Sequence, residues 1–165
     1  MNELLAKISS YNLFNYLFPG ALFVVLLEEL TQFSLRQDDL VLGVFFYYFI
    51  GLVISRIGSV LVEPILKKLR VVKFADYADY LVASKEDGLI VTLSEQNNMF
   101  RTLCSVMLCL GGAKIWEFYS LQAPWFSDNM EAIVIGGLGV LFVLAYRKQT
   151  AYISTRVARH TNTNN

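Results

Sequence analysis

Four long apolar blocks alternate with polar segments along this chain, at about residues 11–30, 40–66, 99–119 and 130–148. A helix crosses a bilayer in about 20 mostly apolar residues, and each block is close to that length or longer. Each therefore predicts a transmembrane helix. The polar middle, residues 67–98, opens with Lys67-Lys68-Leu69-Arg70 and carries Lys73, Asp76, Asp79, Lys85, Glu86, Asp87 and Glu95. Within it Phe74, Tyr77, Tyr80 and Leu81 recur at three- and four-residue steps, a helical period. Ser84 to Gly88 (SKEDG) is a turn signal. The pattern predicts an all-α membrane protein: a single domain over 1–165 with a short helical hairpin joining spans two and three and continuous with both.

The ends of the blocks refine this picture. Met1 to Ser10 is mildly amphipathic. The first block is followed by Glu28-Glu29-Leu30 rather than a small-x-small cleavage site, which favours a span over a signal peptide. Pro19-Gly20 lies inside it, and proline removes a backbone donor and crowds the preceding turn, so a kink is expected there. Tyr and Phe residues near the start of the second block, and Trp125 after Pro124, suit an interfacial belt. The fourth helix is expected to reach about Arg159, and His160 to Asn165 to form a disordered tail.

Composition agrees with a membrane protein: 55% of residues are apolar and 17% charged. Soluble domains run about 45–50% apolar and about 25% charged. Lys plus Arg equals Asp plus Glu, which argues against direct nucleic-acid binding. The charges also orient the chain. By alternation, both termini and the 67–98 insert share one side, which holds Lys7, Lys67, Lys68, Arg70, Lys73, Lys85, Arg101, Arg147, Lys148, Arg156 and Arg159. The opposite side holds Arg36 against Glu28, Glu29, Asp38, Asp39, Glu117, Asp128 and Glu131. Basic residues stay cytoplasmic, so both termini are expected inside a bacterial inner membrane.

Polar residues inside the spans are the candidate functional features. Arg56 and Glu63 lie in the inner half of the second span, seven residues apart and near two turns, hence on one face. They read as a gate or sensing pair, or as an arginine snorkelling beside an interfacial glutamate. Lys114, with Glu117 at i+3 and Glu28 and Glu29 within reach, forms an outer cluster expected to point into the bundle. Gly43, Gly51, Ser55 and Ser59 repeat at multiples of four, and Gly136, Gly137 and Gly139 cluster in the fourth span. Such residues let helices approach closely, within one chain or between the copies of a homo-oligomer.

Catalytic chemistry is not expected. Cys104 and Cys109 lie about 140° apart around a helix, too far for one metal face, and His160 is the single histidine. There is no Ser/His/Asp set. No metal and no cofactor are predicted.

The block YNLFNYLFPGALF (Tyr11 to Phe23), the four spans and the small charged insert together resemble the membrane subunits of Kiwa anti-phage defence systems. The resemblance implies an inner-membrane oligomer that senses infection and holds a soluble, DNA-binding, KwaB-like cytoplasmic partner. On this reading Lys67, Lys68, Arg70, Asp76 and Asp79 form the docking surface, with Tyr77 and Tyr80 as its anchors. The competing expectation is a pore-forming effector that depolarises the cell, with Arg56 or Lys114 setting ion preference. A small transporter built from repeats ranks behind both, because the two hairpins share no visible similarity.

Overall fold

The structure, a computed structural model, describes residues 12–120, 122, 125 and 128–163. Of these, 86% are helical and none is in a strand. Six helices organise them: α1 (Phe18–Leu30), α2 (Leu40–Ile57), α3 (Glu63–Lys68), α4 (Tyr77–Glu86), α5 (Gly88–Ser120) and α6 (Met130–Thr163). A π turn, Leu13–Leu17, precedes α1, and a second, Gly58–Val62, joins α2 to α3. Four stretches are long and apolar enough to cross a membrane: Leu13–Leu30, Leu40–Lys68, Gly88–Ser120 and Met130–Ala158.

Both π turns have the same cause. Each ends two residues before a proline, Pro19 or Pro64. Proline has no N–H and its ring crowds the carbonyl four residues back, so the preceding turn widens. The residue just before each proline then bonds five residues back: Phe18 N–H to the Leu13 carbonyl, and Glu63 N–H to the Gly58 carbonyl. The expected interruption at Pro19-Gly20 is therefore a π turn, and an equivalent one arises at Pro64.

The insert differs in part from its expected form. Its second arm is continuous with the third span, since α5 runs unbroken from Gly88 to Ser120. Its first arm is not continuous with the second span. The chain leaves α3 at Lys68, turns through Arg70 at φ 58°, and runs without regular secondary structure up to Asp76. Phe74 thus lies ahead of α4, which starts at Tyr77, where the Asp76 carboxylate accepts from Ala78 N–H at 2.7 Å. That N-cap satisfies an otherwise unpaired donor and sets the helix start. The break follows from Arg70 in the left-handed region, which a right-handed helix cannot accommodate.

The core sits where the first three spans cross. Leu27, Ile54, Val106 and Leu110 are buried together, flanked by Phe23, Ile50 and Ala113. Gly20 and Gly51 make the crossing of the first two spans possible. A Cβ on Gly20 would overlap the Tyr47 carbonyl, and one on Gly51 would overlap the Tyr16 carbonyl. Helix α6 packs more lightly, with Leu141 its one buried hydrophobic residue among those described and Phe142 against Phe49. The helix continues past Arg159 to Thr163. The N-terminal amphipathic segment and the Pro124 turn lie outside the described residues.

Candidate functional site: a carboxylate with three cations under the insert

Glu63 is the first residue of α3, set down immediately after the π turn and before Pro64. Its side chain is 7% exposed and reaches three cations. Lys67 Nζ lies 2.9 Å from Oε1, Arg101 Nη1 lies 2.7 Å from Oε2, and Lys148 Nζ lies 3.4 Å from Oε1. Lys67 comes from one helical turn further along, Arg101 from α5 and Lys148 from α6. One carboxylate thereby ties three of the four spans together. A buried carboxylate is tolerated only when paired and hydrogen-bonded, and here both oxygens are engaged. Lys148 Nζ also donates to the Ser59 carbonyl.

Aromatic rings close the cluster on the insert side. Lys67 Nζ sits 4.1 Å from the centroid of Phe74, and Lys148 Nζ lies 5.9 Å from that of Tyr152. These distances fall within cation–π range. Tyr77 bridges Tyr80 of its own helix, at 6.3 Å, and Tyr152 of α6, at 5.4 Å.

A second polar layer lies beside the cluster, between the first three spans. Asn15, Ser55 and Thr102 are buried there. Thr102 Oγ1 donates to the Asn98 carbonyl at 2.9 Å and lies 3.3 Å from Ser55 Oγ and 3.4 Å from Asn15 Oδ1. Ser105 continues the layer by donating to the Arg101 carbonyl at 2.8 Å. The Glu63 cluster, with Asn15 and Ser55, lines a cavity of about 480 Å³ that is walled by the spans and roofed by Phe74, Ala75, Tyr77 and Tyr80 of the insert.

The polar residues singled out in the sequence distribute unevenly over this geometry. Arg56 and Glu63 line the same cavity, but Glu63 pairs with Lys67, Arg101 and Lys148, while Arg56 makes no ion pair among the described residues. Of the docking set, Lys67, Tyr77 and Tyr80 face the cavity, Asp76 caps α4, and Lys68, Arg70 and Asp79 are exposed. Lys114 pairs with Glu117 at 2.6 Å as its spacing predicts, and donates to the Leu30 carbonyl at 2.8 Å. Glu117 is buried and also accepts from Gln32 N–H at 2.7 Å, whereas the Lys114 side chain is 62% exposed rather than pointing inward. Glu28 meets Arg36 at 4.0 Å.

Gly43, Gly51 and Ser55 are buried within the chain and Ser59 partly so. Nothing lies within 4 Å of a Cβ placed on Gly136 or Gly137. Arg101, Lys148, Tyr152, Asn15 and Thr102 escaped notice as site residues. The i, i+4 spacing of Glu63 and Lys67 was a visible clue to the cluster, and Asn15 and Thr102 stand out as polar residues inside apolar runs. No group of residues able to hold a metal occurs among the described residues. No protein-family model, curated protein or solved structure matches the chain.

Proposed function

We propose that the protein is a multi-pass sensor subunit of a bacterial inner membrane, with both termini and the insert in the cytoplasm. It docks a soluble effector on the outer face of the insert, at Lys68, Arg70 and Asp79. The observation that carries this reading is the Glu63 cluster. It ties the inner ends of three spans together directly under the insert, and Lys67 and Tyr77 extend the contact to the insert itself. A shift between spans therefore alters the position of the docking surface. The excess of Lys and Arg on the insert side supports the orientation. The resemblance to Kiwa membrane subunits supports a homo-oligomer acting in anti-phage defence with a DNA-binding effector as partner.

The test is whether a soluble protein co-purifies with the tagged full chain expressed from its native operon. Charge reversal at Lys68 and Arg70 is expected to abolish the complex while membrane insertion is retained. An undiminished complex in that double variant overturns the docking face. Orientation is checked by single cysteines in a chain with Cys104 and Cys109 replaced by serine. A membrane-impermeant maleimide is expected to label Ser34→Cys on intact spheroplasts, and Ser84→Cys only after lysis. The reverse pattern refutes the orientation.

A further inference from the structure

The lining of the cavity carries more positive charge than the Glu63 cluster needs. Four cations, Arg56, Lys67, Arg101 and Lys148, face one carboxylate, Glu63, and no other acidic residue among the described ones lines the space. Counted formally, four positive charges against one negative leave an excess of three. Arg56 is outside the ion-pair network, and the buried Arg101 Nε has no hydrogen-bond partner among the described residues. An uncompensated positive excess at the edge of a low-dielectric membrane attracts an anion. The remaining wall suits a phosphate ester. Ser59, Asn98 and Tyr80 offer neutral hydrogen-bonding groups, and guanidinium groups match phosphate oxygens in paired bonds. At about 480 Å³ the space lies within the range of small-molecule sites.

We infer that this cavity binds a phosphate-ester anion, held by Arg56 with Lys67, Arg101 and Lys148, and that its occupancy sets the position of the insert. The inference rests on the proposed cytoplasmic placement of the insert. Two sources share this chemistry: an anionic phospholipid headgroup entering from the inner leaflet, for which basic pockets between spans are suited, and a soluble nucleotide entering from the cytoplasm. In either case the phosphate pairs with Arg56, which the Glu63 cluster leaves outside its ion pairs, and competes with Glu63 for Lys67 and Lys148, the two cations that also lie over the Phe74 and Tyr152 rings. Occupancy thereby loosens one set of contacts beneath Tyr77 and replaces it with another.

The experiment uses the full chain in nanodiscs of phosphatidylcholine. One arm titrates ATP and inorganic pyrophosphate by calorimetry; the other counts retained phosphatidylglycerol by native mass spectrometry. Saturable binding in either arm supports the inference and identifies the source. Arg56→Gln, which breaks no ion pair of the cluster, is expected to weaken that binding about tenfold, the size of one charge-assisted hydrogen bond. Arg36→Gln, at the far end of the bundle, is expected to leave it unchanged. Absence of binding in both arms overturns the inference, as does wild-type affinity in Arg56→Gln. A failed titration with an intact effector complex sinks this inference alone; a normal titration with no effector complex sinks the docking reading alone.

Discussion

The two ends of the bundle solve the same problem in different ways. At the insert end, a nearly buried carboxylate gathers cations from its own helix and from two others. At the opposite end, Glu117 takes Lys114 from its own helix, and the lysine stays largely exposed. The first arrangement depends on how the spans pack. The second needs little more than one turn of α5, plus the Gln32 and Leu30 backbone groups that reach it. The insert-end cluster joins side chains of three spans, whereas the outer pair meets its neighbouring span through two backbone groups. The cavity lies at the end where the three spans are joined.

The strongest way to break this contrast is Glu63→Gln. It leaves Lys67, Arg101 and Lys148 facing one another without a carboxylate, and removing one partner of a buried ion pair costs about 3–5 kcal/mol. A large fall in the thermal midpoint of the detergent-solubilised protein is expected. Partial recovery in Glu63→Gln/Lys148→Met would identify the stranded charge as the cause. A midpoint close to wild type in Glu63→Gln would refute the cross-helix role.

Next in size is Gly51→Ala. The added methyl meets the Tyr16 backbone carbonyl, which cannot move as a side chain would. Overpacking costs about 1–3 kcal/mol, read as a lower midpoint and as altered proteolysis of the first span. Gly136→Ala, with open space around it, is expected to leave the midpoint of the monomeric chain unchanged. Lys114→Gln is expected to shift the midpoint far less than Glu63→Gln, because Lys114 is largely exposed and Glu117 keeps the Gln32 N–H as a donor. Equal effects from Lys114→Gln and Glu63→Gln would erase the distinction between the two ends. The smallest effect is geometric. Cysteines at Tyr77 and Tyr152, in a chain without Cys104 and Cys109, are expected to be bridged by a flexible bismaleimide, which spans the side-chain distance that the two rings fill. No crosslink would detach the insert from the fourth span.

Much of the architecture was legible because it is written locally. A run of apolar residues needs no tertiary information to predict a span, and each of the four expected blocks coincides with a helical stretch long enough to cross a membrane, the first of them from Leu13 onward. The Lys114–Glu117 pair was legible for the same reason, since i, i+3 neighbours meet on any helix. The second break in the second span was also present in the residues: Pro64 implied it as plainly as Pro19 implied the first. The first arm of the insert misled because the tyrosine period extended back to Phe74, while the turn at Arg70 and the Asp76 cap decided where α4 begins.

What the sequence determined by itself was the helical character of the chain and the four apolar stretches long enough to cross a membrane, because hydropathy and helical period are properties of neighbours. Only the tertiary structure decided which polar groups meet. Glu63 finds Arg101 at a separation of 38 residues and Lys148 at 85. No short-range pattern encodes either contact. Both depend on the π turn that precedes Glu63 in its span, and the Arg101 contact also on the close approach of the second and third spans at Gly58, where an added Cβ would meet Ser105 and Arg101. A helix lists its polar residues along its length, but which of them become a site depends on the register at which helices cross, and packing sets that register.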